Sequence, residues 1–242
     1  MGFDLYEGGY MEYINVAYTK EYLEYRKQFD YIFVDKYKSE DDEVKNLSDG
    51  KHTLVTSYYN DESHEVLQYN VSTSKTRVLD SSGATVAEVR NISYSVDFFS
   101  EVEHSNGKRY LLFSIDLYGY SIMDLSNYKV YHYIPEESFK NSNETFIWTD
   151  VIYCSKNNIL AVEGCFWACP SSVEFYEFAK PEEFPLKRIC TSYEMADELD
   201  IDSDVTPLRW NDDGRIVIEC YEDKGTVKVE KIFDIVCWKI KS

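Results

Sequence analysis

The sequence is poor in the residues that build loops around phosphate: it has ten glycines and five prolines in 242 residues. No G-x-G-x-x-G, phosphate-binding P-loop or G-x-S-x-G motif occurs, so neither a nucleotide cradle nor a nucleophile elbow is expected. Positive charge is scarce: 25 Lys and Arg stand against 44 Asp and Glu, a formal net charge of −19. Nucleic acids and anionic bilayers are both held by clustered basic side chains, so neither is expected as a partner. Long apolar runs are missing too. Ile159 to Val162 is typical of the longest, against the roughly 18–20 residues that span a bilayer. Histidine is limited to His52, His64, His104 and His132. His64-Glu65 is not followed by the second His of a zinc-protease helix.

Met1 to Glu7 show no basic start leading into an apolar stretch, so no secretion signal is read there. Tyr6 stands where a myristoylation pattern beginning at Gly2 needs Ser or Thr. The cysteines are Cys154, Cys165, Cys169, Cys190, Cys220 and Cys237. A chain of this length hides roughly 70–75% of its unfolded surface and needs no disulfide framework. Reduced thiols in a cytoplasmic protein are the expectation.

What is abundant is strand chemistry. The 22 tyrosines and 13 phenylalanines join frequent Val and Ile, side chains that fill a pleated face. Arg109 to Asp116, Arg215 to Cys220 and Thr226 to Ile232 read as strands. Asn106-Gly107 and Asp213-Gly214 precede two of them as hairpin turns. Helical signals are short: Thr19 to Gln28, with Thr19 as cap and Tyr22, Leu23 and Tyr25 to bury, and Ser192 to Leu199.

An internal repeat organises the chain. An apolar–polar–apolar triplet recurs as Tyr69-Asn70-Val71, Met123-Asp124-Leu125, Tyr176-Glu177-Phe178 and Phe233-Asp234-Ile235, its polar centres 54, 53 and 57 residues apart. Before each of the last three come a strand, a polar turn and a long strand. Lys75 to Leu79, Tyr128 to Tyr133 and Leu186 to Cys190 read as fourth strands. Four strands in about 40–55 residues is the period of a β-propeller blade, whose faces are covered only by neighbouring blades. The expected fold is all-β: one domain over 1–242, a small propeller of four to five blades of four-stranded antiparallel sheet. The alternative is an open sheet or sandwich. The units would run roughly 50–95, 96–147, 148–200 and 201–242. Residues 1–49 would close the ring, through a strand at Asp30 to Asp35, against a C-terminal unit one strand short.

Asn106-Gly107-Lys108-Arg109-Tyr110-Leu111-Leu112-Phe113, followed by Ser121-Ile122-Met123-Asp124-Leu125, resembles WD40-like and other bacterial propeller repeats. Their Trp-Asp ending and Gly-His opening are missing here. Gly164 to Pro170 with Phe175 to Phe178 is similar to a segment of uncharacterised bacterial cytoplasmic proteins, a likeness that implies no activity.

Three groups of residues could carry chemistry. Cys165-Phe166-Trp167-Ala168-Cys169 offers a redox pair or half a zinc site. In extended chain the two Cα atoms would lie about 13 Å apart, and a disulfide needs them within about 7 Å. The pair therefore reacts only if the chain turns sharply there; buried thiols beside a ring are the plainer expectation. Asp200, Asp202 and Asp204 alternate as in the opening of a calcium loop. Val205 and Asn211 replace the Gly and Glu that loop needs, so a charged surface loop is favoured over a calcium site. Trp148, Trp167 and Trp210 are candidates for a binding surface, since aromatic rings concentrate at interfaces and stack on sugars. The repeated Asn70, Asp124, Glu177 and Asp234 are expected to bond backbone at strand ends. The functional expectation is a non-enzymatic binding or scaffold protein, in one form immunity-like, whose acidic surface takes a basic protein partner. The alternative is a carbohydrate-active hydrolase or carbohydrate-binding module using channel carboxylates and aromatics on a glycan or other small molecule.

Overall fold

The computed structural model describes residues 14–93, 98–199, 205–222 and 227–237. Its strands form antiparallel sheets that follow one another along the chain. The first holds β1 (Glu43–Asn46), β2 (Thr53–Asp61), β3 (Val71–Leu79) and β4 (Thr85–Asn91). The second holds β5 (Phe99–Glu103), β6 (Arg109–Ile115), β7 (Gly119–Asp124) and β8 (Lys129–Tyr133). The third holds β9 (Ile147–Cys154), β10 (Ile159–Cys165), β11 (Ser172–Glu177) and β12 (Arg188–Thr191). The fourth holds β13 (Thr206–Trp210), β14 (Ile216–Glu222) and β15 (Val227–Phe233). Each strand pairs with its neighbour in sequence, so every sheet is a meander. The protein is all-β, and among the described residues its last sheet has three strands where the others have four.

The same turns recur because the same backbone problem recurs. The first hairpin of each sheet passes through a left-handed residue: Gly50 (φ 65°), Gly107 (φ 84°), Asn158 (φ 53°) and Gly214 (φ 85°). Glycine takes this conformation without a Cβ penalty, and asparagine tolerates it. In three of these turns the preceding side-chain oxygen accepts the N–H two residues on: Asp49 from Lys51 (2.8 Å), Asn106 from Lys108 (2.9 Å) and Asp213 from Arg215 (3.0 Å). The ends of third strands are also alike. Asp80 accepts from Ser82 N (2.8 Å), Asp124 from Ser126 N (2.8 Å) and Asp234 from Val236 N (3.1 Å).

The first copy of the triplet repeat is therefore misplaced. Asn70 precedes β3, and Asp80, at the far end of that strand, holds the position of Asp124. Lys75 to Leu79 belongs to this third strand, while the fourth is β4, and the first sheet begins at Glu43. A three-residue pattern cannot distinguish the start of a strand from its end; the polar contacts beyond it can.

Alternation along the strands builds the core. Leu111, Phe113 and Met123 face Leu54, Val78 and Val89 of the first sheet. Tyr110, Leu112 and Ile122 point the other way, to Leu160, Val162 and Tyr176 of the third. Ala161 and Phe175 leave the third sheet for Ile216, Ile218 and Phe233 of the fourth. Met123, Tyr176 and Phe233 thus occupy matching places, each near the end of a third strand and each facing the preceding sheet. The first strands of the later sheets lie side by side, β5 against β9 and β9 against β13. Among the described residues, no core cluster joins the first sheet to the fourth.

The N-terminal region covers the far face of the first sheet. Asp30 to Asp35 is not a strand: two short 3-10 turns, Asp30–Ile32 and Asp35–Tyr37, take its place. Phe29 and Ile32, three apart, land on one side and cover Tyr59 and Val71. Before them runs α1 (Lys20–Lys27), with Thr19 as its cap. α1 buries Tyr22, while Leu23 and Tyr25 remain exposed. Arg26 Nη1 reaches both carboxylate oxygens of Asp116, at 2.7 and 2.8 Å, and the Tyr22 hydroxyl donates to the same group. This ion pair ties α1 to the turn between β6 and β7.

Candidate functional site

Trp148, Trp167 and Trp210 have three different fates. Trp148 is 3% exposed and stacks on Tyr120 with ring centroids 4.1 Å apart; it is a core residue, which removes it from any binding surface. Trp210 is partly buried, its Nε1–H donating to the Ile152 carbonyl at 3.2 Å, which fastens β13 to β9. Trp167 is 57% exposed.

The turn that presents Trp167 follows from its neighbours. β10 lies tight against β9 at Gly164, where a Cβ would come within 2.1 Å of the Ile147 carbonyl oxygen. Beyond Cys165 the chain folds back: Cys169 N–H donates to the Phe166 carbonyl at 2.9 Å, and Ala168 sits at φ 58°. Phe166 turns inward against Phe146, with centroids 5.7 Å apart. Trp167, the next residue, is left outward. Behind the turn stands α2 (Ser192–Leu199), whose Tyr193 hydroxyl reaches the Pro170 carbonyl at 3.5 Å. The Ser171 carbonyl accepts Val205 N–H at 3.0 Å. An exposed indole is thus mounted on a turn braced on both sides.

A cavity of ≈ 390 Å³ lies where the first three sheets converge, lined among others by Glu43, Lys45, Tyr58, Phe99, Ser100 and Asp150. Its polar groups bind one another. The Tyr58 hydroxyl donates to Glu43 at 2.7 Å, Lys45 Nζ to the Phe99 carbonyl at 2.9 Å, and Ser100 Oγ to Asp150 at 2.5 Å. Asp150 faces Glu163 across β9 and β10. Burial, and then the charge of Asp150, pushes the Glu163 carboxyl above the ordinary range.

The histidines sit in structural pairs. His52 Nδ1 lies 2.6 Å from Asp49, His64 Nε2 2.6 Å from Asn70, and His104 Nε2 2.7 Å from the Phe178 carbonyl. Ser121 and His132 form a hydrogen bond of 2.7 Å. Ser121 is fully buried, so this dyad faces the interior rather than a substrate. Burial, and then the charge of Arg26, lowers His132 to about 4.

Sequence reasoning missed one buried charge. Glu174 is 3% exposed; Arg188 Nη1 lies 3.0 Å from its carboxylate, and the Tyr176 hydroxyl donates to it. Burial raises its carboxyl even against the opposing pull of Arg188. No local pattern singled it out, because β11 also carries Ser172 and Glu177 and Arg188 reaches Glu174 only when β11 pairs with β12. Asp200, Asp202 and Asp204 lie outside the described residues. Among the described residues, no group of three or more His, Cys, Asp or Glu side chains converges to hold a metal. Nor is any helix among them long and apolar enough to cross a membrane. No family model matches the chain, and no curated protein does.

Proposed function

We propose that this is a non-enzymatic binding protein, a small propeller-like stack of sheets akin to WD40-like repeats, that docks a basic protein partner through the turn carrying Trp167. The observation that supports this reading is the 57% exposure of Trp167 on a braced turn. Tryptophan is among the commonest anchors of protein interfaces, and a rigid mount spares the ordering cost of binding. The charge of −19 supplies the second half: a field of one sign steers a basic partner and repels acidic ones. A chain long enough to build its core without disulfides suits a reducing, cytoplasmic setting.

The test is affinity capture from the source lysate at low and high salt, with the wild type and Trp167→Ala. The expected result is a basic protein retained by the wild type, released as salt rises, and lost with the variant. Capture indifferent to both salt and Trp167 overturns the reading. A second reading draws on Glu163 and Asp150 beside the converging sheets. A carboxyl pushed toward its neutral form beside a second acidic side chain is the kind of pair that glycoside hydrolysis uses. Turnover of a glycoside that disappears in Glu163→Gln would favour it.

A further inference from the structure

We infer that Cys165 and Cys169 form a reversible disulfide site: a low-molecular-weight disulfide such as oxidised glutathione closes them across the turn that carries Trp167. The extended chain would forbid this, because four residues of strand hold the Cα atoms about 13 Å apart. The structure replaces that strand with a turn. β10 ends at Cys165, Ala168 is left-handed at φ 58°, and Cys169 N–H closes on the Phe166 carbonyl at 2.9 Å. A four-residue turn of this kind brings its ends within about 7 Å. Its ends are Phe166 and Cys169, so it carries Cys169 back beside the residue that follows Cys165, and a local adjustment of the turn brings the two cysteines to the separation a disulfide needs.

Their surroundings divide the labour. Cys169 is exposed and Cys165 partly covered. Burial and the neighbouring Cys169 raise the Cys165 thiol, so Cys169 is the group that meets the reagent first. Its thiolate attacks one sulfur of the small disulfide, and a first thiol leaves with the proton that Cys169 gave up. The Cys165 sulfur then attacks Cys169 Sγ in the mixed disulfide, and a second thiol leaves with the proton from Cys165. One S–S bond breaks and one forms; the two cysteines lose two electrons and two protons, and the reagent gains them. Cys154, Cys190 and Cys220 are buried and shielded from such exchange. Cys237 is exposed, and it provides an internal control.

The consequence for partner docking rests on the proposed function: a cross-link on either side of Trp167 would change how the indole is presented. The chemistry itself is read without any partner. Tryptic cleavage after Lys156 and Lys187 (Lys180 precedes Pro181 and is not cut) yields a peptide, residues 157–187, whose only cysteines are Cys165 and Cys169. The folded protein is treated with oxidised glutathione, its remaining thiols are alkylated, and the peptide is weighed. The expected product is that peptide lighter by two hydrogens, carrying neither alkyl group nor glutathione, and restored by a dithiol reductant. Cys165→Ser should instead hold glutathione at Cys169. If the wild-type peptide retains glutathione at Cys169, or remains alkylated at both cysteines while Cys237 reacts, the inference falls. Failure of partner capture with a normal disulfide would count against the proposed function alone.

Discussion

The second and fourth sheets share one local grammar and differ in how their third strands are buried. Both open with an Asx-Gly hairpin, at Asn106-Gly107 and Asp213-Gly214, and both end their third strand in Asp, at Asp124 and Asp234. Yet β7 is buried along its whole length, while β15 exposes most of its residues. Asp124 has no exposed side-chain surface and lies 2.8 Å from Lys108 Nζ; Asp234 is exposed and touches mainly backbone. The second sheet has a neighbour on each face. The fourth turns one face to the third sheet; on the other, Val217 is buried while Ile232, opposite it on the outer strand, is 52% exposed. A motif sets a turn, but position in the stack sets how much that turn and its strand contribute to stability.

The contrast can be broken most directly with apolar truncations. Phe113, fully buried and stacked on Phe99 at 5.5 Å, should cost about 3–5 kcal/mol as Phe113→Ala. Ile232→Ala should stay within about 0.5 kcal/mol. Urea unfolding of the two variants decides it, and similar losses would mean that the fourth sheet is covered in solution. Next are the two aspartates. Asp124→Ala removes a fully buried carboxylate that accepts from Ser126 and Lys108, and the loss of these charge-assisted bonds should cost about 1–3 kcal/mol. Asp234→Ala, where water can replace the carboxylate, should lie at or below the bottom of that range. A third contrast is a pH dependence carried by His132 of the second sheet. His132 is lowered to about 4 in the folded protein, against about 6.5 unfolded. The folded state then binds the proton more weakly. The stability contributed by neutral His132 is complete above about pH 6.5, declines as pH falls, and levels off near 4. His132→Gln should flatten that part of the wild-type pH profile, measured by thermal unfolding; an unchanged profile would show that other groups carry it.

Much of the architecture was legible because strands and turns are written locally. Alternation in Arg109 to Asp116 and Arg215 to Cys220, and Asx-Gly before each, announced β6 and β14. Thr19 announced the cap of α1. The failures came where a local pattern has two meanings. Tyr69-Asn70-Val71 matched the repeat but begins β3, and Asp30 to Asp35 has strand-like residues but coils so that Phe29 and Ile32 share one side. Of the tryptophans, nothing in sequence separated Trp148 from Trp167: both are large rings at the border of a strand. Burial against Tyr120 distinguishes the first, and the inward turn of Phe166 the second. Glu174 and its Arg188 partner were invisible for the same reason, since the two residues meet only once β11 and β12 pair.

By itself, the amino-acid sequence determined the all-β class, the meander connections, the left-handed turn positions and the acidic character, because each depends on the chemistry of residues close together in the chain. Tertiary structure alone decided which strand faces are covered, which indole meets solvent, which charges are buried in pairs, and that Cys165 and Cys169 bracket a turn. Those properties depend on atoms brought together from distant positions, or on a backbone reversal that neighbouring side chains must brace, and no short stretch of residues encodes them.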